Sequence, residues 1–128
     1  MREGATLNCD FDPVGVVVDW LDACRARRLD DLLNLYDEKA LLRCACEGVY
    51  RGRDDMARYW SRRLERPVAQ AFSLTDLALD TDGDDPGIVL DCVAYDGRPV
   101  RIRFQFTQAG KIAESVCWPS KRSVVGER

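Results

Sequence analysis

The sequence contains no histidine. That absence removes the Ser-His-Asp and Cys-His nucleophile pairs, the HExxH zinc site and the imidazole pH switch. Lysine is scarce as well: Lys39, Lys111 and Lys121 stand among 19 basic residues. No apolar run approaches the ~20 residues a membrane-spanning helix needs. Met1 to Asp10 is short and polar, unlike a secretory leader. These features lead us to expect a soluble, cytoplasmic protein with reduced thiols. Any proton transfer must then use carboxylates, thiols, tyrosine, lysine or water.

What is present fits one domain over 1–128, with a core from about 13 to 118 and a peripheral N-terminal arm and C-terminal tail. The net charge of −3 does not favour a polyanionic partner. Arg51, Arg53, Arg58, Arg62, Arg63 and Arg66 are interrupted by Asp54, Asp55 and Glu65, which reads as a solvated helix face rather than a nucleic-acid surface. Cys9, Cys24, Cys44, Cys46, Cys92 and Cys117 are scattered through apolar segments, as buried small hydrophobes are. A four-cysteine site from Cys44, Cys46, Cys92 and Cys117 is conceivable, but the C-x₂-C spacing of a zinc knuckle is missing. Asp80, Asp82 and Asp84 are spaced like the start of a calcium loop, yet no distal Glu follows. Neither metal nor cofactor is expected.

Asp12-Pro13 signals a helix start, followed by Val14, Val17, Val18, Leu21 and Cys24 at helical spacing. A second helix from Asp30 carries Leu32, Leu33, Leu35 and Tyr36, and a third runs from Arg53 to Arg66 with Met56, Tyr59, Trp60 and Leu64. Ala40 to Cys46 reads as a strand, and Gly48 and Gly52 bracket a loop. Four strand-length runs follow: Phe72–Leu79, Ile88–Tyr95, Val100–Thr107 and Ile112–Trp118. Turn chemistry separates them, at 82–87, at Tyr95-Asp96-Gly97-Arg98 and at Gln108-Ala109-Gly110-Lys111. Helices first and hairpins later predict an α+β fold with the helices on one face of a curved sheet.

The order "LDDLLNLYDEKALL", "YRGRDDMARYW", "YDGRPVRIRFQF" and "AGKI" resembles the nuclear transport factor 2-like superfamily, which includes ketosteroid isomerases and SnoaL-like polyketide cyclases. The likeness runs from about Pro13 to Trp118. It implies a cone-shaped, curved antiparallel sheet wrapped around three N-terminal helices, a cystatin-like α+β roll enclosing an apolar pocket. It also implies where the steroid isomerases keep their catalytic Tyr, Asp base and protonated Asp. Those positions here hold Trp20, Cys44 and Ile102. The chain therefore lacks the isomerase machinery.

From the same resemblance the pocket is expected to be lined by Trp20, Leu42, Cys44, Trp60, Phe72 and Leu74. The strands are expected to add Val89, Asp91, Val93, Val100, Ile102, Phe104, Ser115 and Cys117. Asp91, within the apolar strand Ile88–Val93, is the candidate general acid or base; Tyr59 or Tyr36 would be proton donors and Cys44 a nucleophile or base by position. Two other placements stay open for Asp91: an ion pair with a neighbouring Arg, or displacement to the outer face by a bulge. The convex face with Arg101, Arg103, Gln105 and Trp118 is where family members dimerise, so a homodimer is expected there. Two functions fit: a cofactor-independent isomerase, cyclase, dehydratase or hydrolase acting on a small hydrophobic substrate, or a non-catalytic ligand-binding or dimeric interaction domain.

Overall fold

The computed structural model describes residues 11–45, 48–80 and 87–120. The N-terminal arm with Cys9, Cys46, the acidic turn carrying Asp82 and Asp84, and the tail beyond Ser120 lie outside the described residues. Helix α1 (Pro13–Ala26) starts as its sequence dictates: the Asp12 carboxylate accepts from the Val14 N–H at 3.1 Å, and proline occupies the first turn. Val17, Trp20, Leu21 and Cys24 make its buried stripe. Arg27 ends α1 in the left-handed region, with φ 59°, and its guanidinium donates to the carbonyls of Leu64 at 2.8 Å and Glu65 at 2.6 Å. Those carbonyls follow α3 (Gly52–Arg63), so one arginine ties the ends of two helices together. The short α2 (Leu29–Asn34) buries Leu32 and Leu33. It stops before Tyr36, which belongs to the following strand and not to the helix the sequence suggested.

The strands are β1 (Tyr36–Cys44), β2 (Gly48–Arg51), β3 (Leu74–Asp80), β4 (Gly87–Val93), β5 (Pro99–Phe106) and β6 (Ile112–Pro119). They form one curved, open sheet in the order β2-β1-β6-β5-β4-β3. Neighbours run antiparallel except β1 and β6, which are parallel. Segment 48–51, expected as loop, is the edge strand β2; four residues are too few to display an alternation. No helix among the described residues is long and apolar enough to cross a membrane.

The helices cover the face carrying Leu42, Ile88, Leu90, Cys92, Ile102 and Phe104, all buried. The opposite face is held by charge pairs. Asp91 accepts from Arg101 through Nε at 2.8 Å and through the second guanidinium nitrogen at 3.0 Å. Arg103 pairs with Asp80, and Arg43 with Glu114 at 2.9 Å. Two of the arginines expected at a dimer contact are thus engaged within their own sheet.

Gly87 is the close point between β4 and β5. A Cβ there would lie 2.6 Å from the Phe104 carbonyl oxygen and 3.6 Å from the Asp80 Cβ. Backbone cannot yield as a flexible side chain would. Gly87→Ala is expected to cost roughly 1–3 kcal/mol, read as a lower urea midpoint at unchanged slope. A midpoint equal to the parent's would show that the two strands separate without cost.

Candidate functional site: an aromatic cavity under helix α3

Met56, Tyr59, Trp60 and Arg63 follow one another at three- and four-residue steps, so α3 turns all four towards the sheet, and all four are buried. Between this stripe and the sheet lies a cavity of about 300 Å³, at the small end of ligand-binding cavities. Trp20, Tyr59, Trp60 and Phe72 wall it on the helix side, and Cys44, Cys92, Val100, Ile102 and Cys117 on the sheet side. Ala94 and Tyr95 after β4, together with Trp118, continue the wall. Exposed Asp96, Arg98 and Pro119 mark its open end.

Phe72 is held there against its own backbone preference. Its φ is +64°, a region a bulky residue enters rarely. Its N–H donates to the Val93 carbonyl at 2.6 Å, and its carbonyl accepts from Arg25 Nε at 3.0 Å. Its ring meets Trp20 and Trp60 at centroid distances of 6.3 and 6.4 Å. Together these contacts fix the strained residue and with it one wall.

The cavity's polar groups are hydrogen-bond donors far more than proton acceptors. The Arg63 guanidinium carbon sits 3.7 Å from the Tyr59 ring centroid and 5.2 Å from that of Tyr95, and one N–H donates to the Tyr59 carbonyl at 3.1 Å. Burial raises the pKa of the Tyr59 hydroxyl; the nearby Arg63 charge opposes that shift, and a hydrogen bond to Cys44 adds to it. Burial, with the Asp91 charge, pushes the Cys92 thiol up to about 12. Below the cavity, Tyr36 accepts from Trp20 Nε1 at 3.1 Å and stands 3.5 Å from Ser115 Oγ; burial raises it to about 12. Trp60 Nε1 is buried and faces the same hydroxyl, and this interaction opposes the upward shift of Tyr36. Among the described residues there is no group of three or more Cys, Asp or Glu side chains placed to hold a metal ion.

The family model for the SnoaL-like domain matches residues 17–115. The chain belongs to that family. Curated proteins yield no match. Solved structures share the fold of this SnoaL-like domain. A SnoaL-like protein of unknown function from Burkholderia thailandensis is 18% identical, with a TM-score of 0.65 over 84% of this chain and 93% of that one. An NTF2-like protein of unknown function from Cytophaga hutchinsonii is 10% identical, with a TM-score of 0.64 over 91% and 96%. The orange carotenoid protein of Anabaena (Nostoc), in a structure binding canthaxanthin, is 16% identical with a TM-score of 0.70. There 98% of this chain is covered, but it spans only 41% of that longer protein.

Against this SnoaL-like frame the expected site residues divide sharply. Trp20, Cys44, Tyr59, Trp60, Phe72, Val100, Ile102 and Cys117 line the cavity. Leu42, Phe104 and Ser115 are buried in the surrounding core, Tyr36 lies beneath it, and Leu74 is half exposed at the sheet edge. Val89, Asp91 and Val93 face the other way. Asp91 stands opposite Arg101 in the β4–β5 ladder, and its neighbour Cys92 takes the inward place. The physical reason is a one-residue difference in register, which exchanges every side chain between the two faces. Asp91 is a carboxylate of the outer-face ion pairs, and the acid–base role expected of it loses its geometry. Trp118, expected at the dimer face, also contributes to the cavity wall. Arg63, Cys92 and Tyr95 went unrecognised; the helical step from Tyr59 to Arg63 was the available signal for the first.

Proposed function

We propose that this SnoaL-like domain binds a small, mostly apolar molecule of one to three rings, and that binding rather than turnover is its task. The observation that carries this reading is the composition of the cavity wall among the described residues: aromatic rings and thiols, one buried guanidinium, and a single carboxylate, Asp96, in the β4–β5 turn. A cofactor-free proton-transfer enzyme needs a base whose pKa lies near the working pH. Tyr59 and Cys92 are pushed the other way, towards holding their protons. Rings find edge and face partners in Trp20, Trp60, Phe72 and Tyr59, and an oxygen on the ligand finds its donors at Arg63 and Tyr59. The longer orange carotenoid protein, of which this chain matches 41%, binds canthaxanthin, which supports an apolar guest.

Titration with 2-naphthol and with a hydroxylated steroid, followed by tryptophan fluorescence, tests the proposal, because Trp20 and Trp60 are both in the wall. At least one probe is expected to bind saturably. Ile102→Trp, which fills the cavity from the sheet side, is expected to weaken it at least tenfold, about 1.4 kcal/mol. Asp91→Asn is expected to leave it unchanged. Equal binding by Ile102→Trp, or no saturable binding by the parent, would overturn the reading.

A further inference from the structure

One buried oxygen beneath the cavity gathers donors from two helices, and holding an apolar guest does not by itself require it. Trp20 on α1 donates its indole N–H to the Tyr36 hydroxyl at 3.1 Å. Trp60 on α3 turns its buried Nε1 to the same oxygen. Ser115 on β6, also buried, stands 3.5 Å from it. The chemistry of these groups gives the cluster a direction. An indole N–H only donates, whereas a phenol has acceptor lone pairs and one proton. With its lone pairs turned to the indoles, the Tyr36 proton is directed to Ser115 Oγ. A phenol that donates is in turn a stronger acceptor, so Ser115 reinforces the hold on the indoles.

What that hold sets is ring orientation. The outer torsion of an aromatic side chain has broad, roughly two-fold wells, and apolar packing separates them weakly. An N–H tied to a fixed oxygen selects one. Tyr36 is itself anchored: it opens β1 opposite Ile112 of β6, whose N–H donates to the Leu35 carbonyl at 2.8 Å. In the resulting orientation Trp20 and Trp60 meet at 78° with centroids 5.5 Å apart, and Tyr59 meets Trp60 at 87°. All three rings line the cavity, so its wall offers a ring face beside a ring edge. A flat aromatic guest meets such a corner with complementary edge and face, and a saturated ring of the same outline does not. The geometry points to Tyr36 as a positioning residue: by aiming the Trp20 and Trp60 indoles, it makes the cavity select planar aromatic rings over saturated ones. This inference rests on the apolar-ligand reading and names the ligand class within it.

Two measurements on the full chain test it. Without ligand, the indole N–H signals of the three tryptophans are followed by nitrogen-proton correlation NMR and assigned with Trp20→Phe and Trp60→Phe. Tyr36→Phe is expected to move the Trp20 and Trp60 signals upfield and to leave that of Trp118 in place. Ser115→Ala is expected to move the Trp20 signal the same way by less. With ligand, calorimetric titration compares 2-naphthol with its saturated counterpart, decahydro-2-naphthol. The parent is expected to bind the naphthol roughly tenfold more tightly, and Tyr36→Phe to cut that preference to roughly threefold or less. A merely structural loss would weaken both alcohols alike and keep their ratio. Unmoved indole signals in Tyr36→Phe, or an unchanged preference, would overturn the proposal. A parent that binds the hydroxylated steroid but neither of these alcohols overturns the selectivity and spares the apolar-ligand reading; one that binds none of the three overturns both. Urea midpoints show whether each variant is folded. Ser115→Ala, which keeps the phenol, carries the test if Tyr36→Phe does not fold: an unmoved Trp20 signal and an unchanged preference there would overturn the proposal.

Discussion

Trp20→Ala is expected to lower stability by about 3–5 kcal/mol, the largest effect of any single substitution proposed for this chain. Trp20 is 1% exposed and is the hub of the aromatic cluster. Its ring meets Phe104 at 5.3 Å, Trp60 at 5.5 Å and Phe72 at 6.3 Å, each near edge-to-face. Truncation removes all three contacts and opens a void that the strained Phe72 backbone is poorly placed to fill. It also removes the indole N–H that donates to Tyr36. Trp20→Phe separates these contributions: it keeps most of the ring packing and loses the hydrogen bond, at roughly 1–2 kcal/mol. Set against a typical total of about 5–15 kcal/mol, the alanine variant is expected to lose a large share of its stability. Urea unfolding of the three proteins checks the order; an alanine variant within about 1 kcal/mol of the parent would mean that the cluster repacks.

Arg101→Met is expected to lower the thermal midpoint by roughly 5 °C or more, and Asp91→Asn by less than half as much. The asymmetry follows from exposure. The Asp91 side chain is 5% exposed and that of Arg101 35%. Removing the guanidinium leaves a carboxylate with little access to water, whereas removing the carboxylate's charge leaves an arginine that solvent reaches. The Arg101 pKa is raised in turn, first by its hydrogen bond to Asp91 and then by that carboxylate's charge. The double variant is expected to fall near Asp91→Asn, because once the charge is gone the arginine's removal costs little. Equal losses from the two single changes would show that burial does not govern the pair.

The contrast between β4 and β5 shows how far sequence carried. In β5, Val100, Ile102, Phe104 and Phe106 alternate with Arg101, Arg103 and Gln105, so its inner face was unambiguous. In β4, apolar residues occupy both faces: Ile88 and Leu90 inside, Val89 and Val93 outside. No alternation distinguishes the two registers, and the single carboxylate was assigned inwards. The structure satisfies it outwards with an arginine from the next strand. Helix α1 was legible because its cap is a local signal, and the family order was legible because turns and helix starts recur in sequence. Arg63 was not, because five other arginines share its stretch of chain and only three-dimensional stacking on Tyr59 sets it apart.

The parallel pairing of β1 with β6 has a consequence for how this chain reaches its native state. Strand β6 lies between β1 and β5 in the sheet although it is the last to be synthesised. The β1–β2 hairpin and the β3–β4–β5 meander can each form from local contacts. They share no edge until residues 112–119 have left the ribosome. Contacts between positions 36–44 and 112–119 span most of the described chain, which raises the contact order and slows the productive step. Until then β1 presents an unpaired edge, and the cavity's sheet-side wall lacks its β6 residues and is split between β1 and the β3–β4–β5 meander. The wall that carries Cys117 is completed in the same event that joins the sheet.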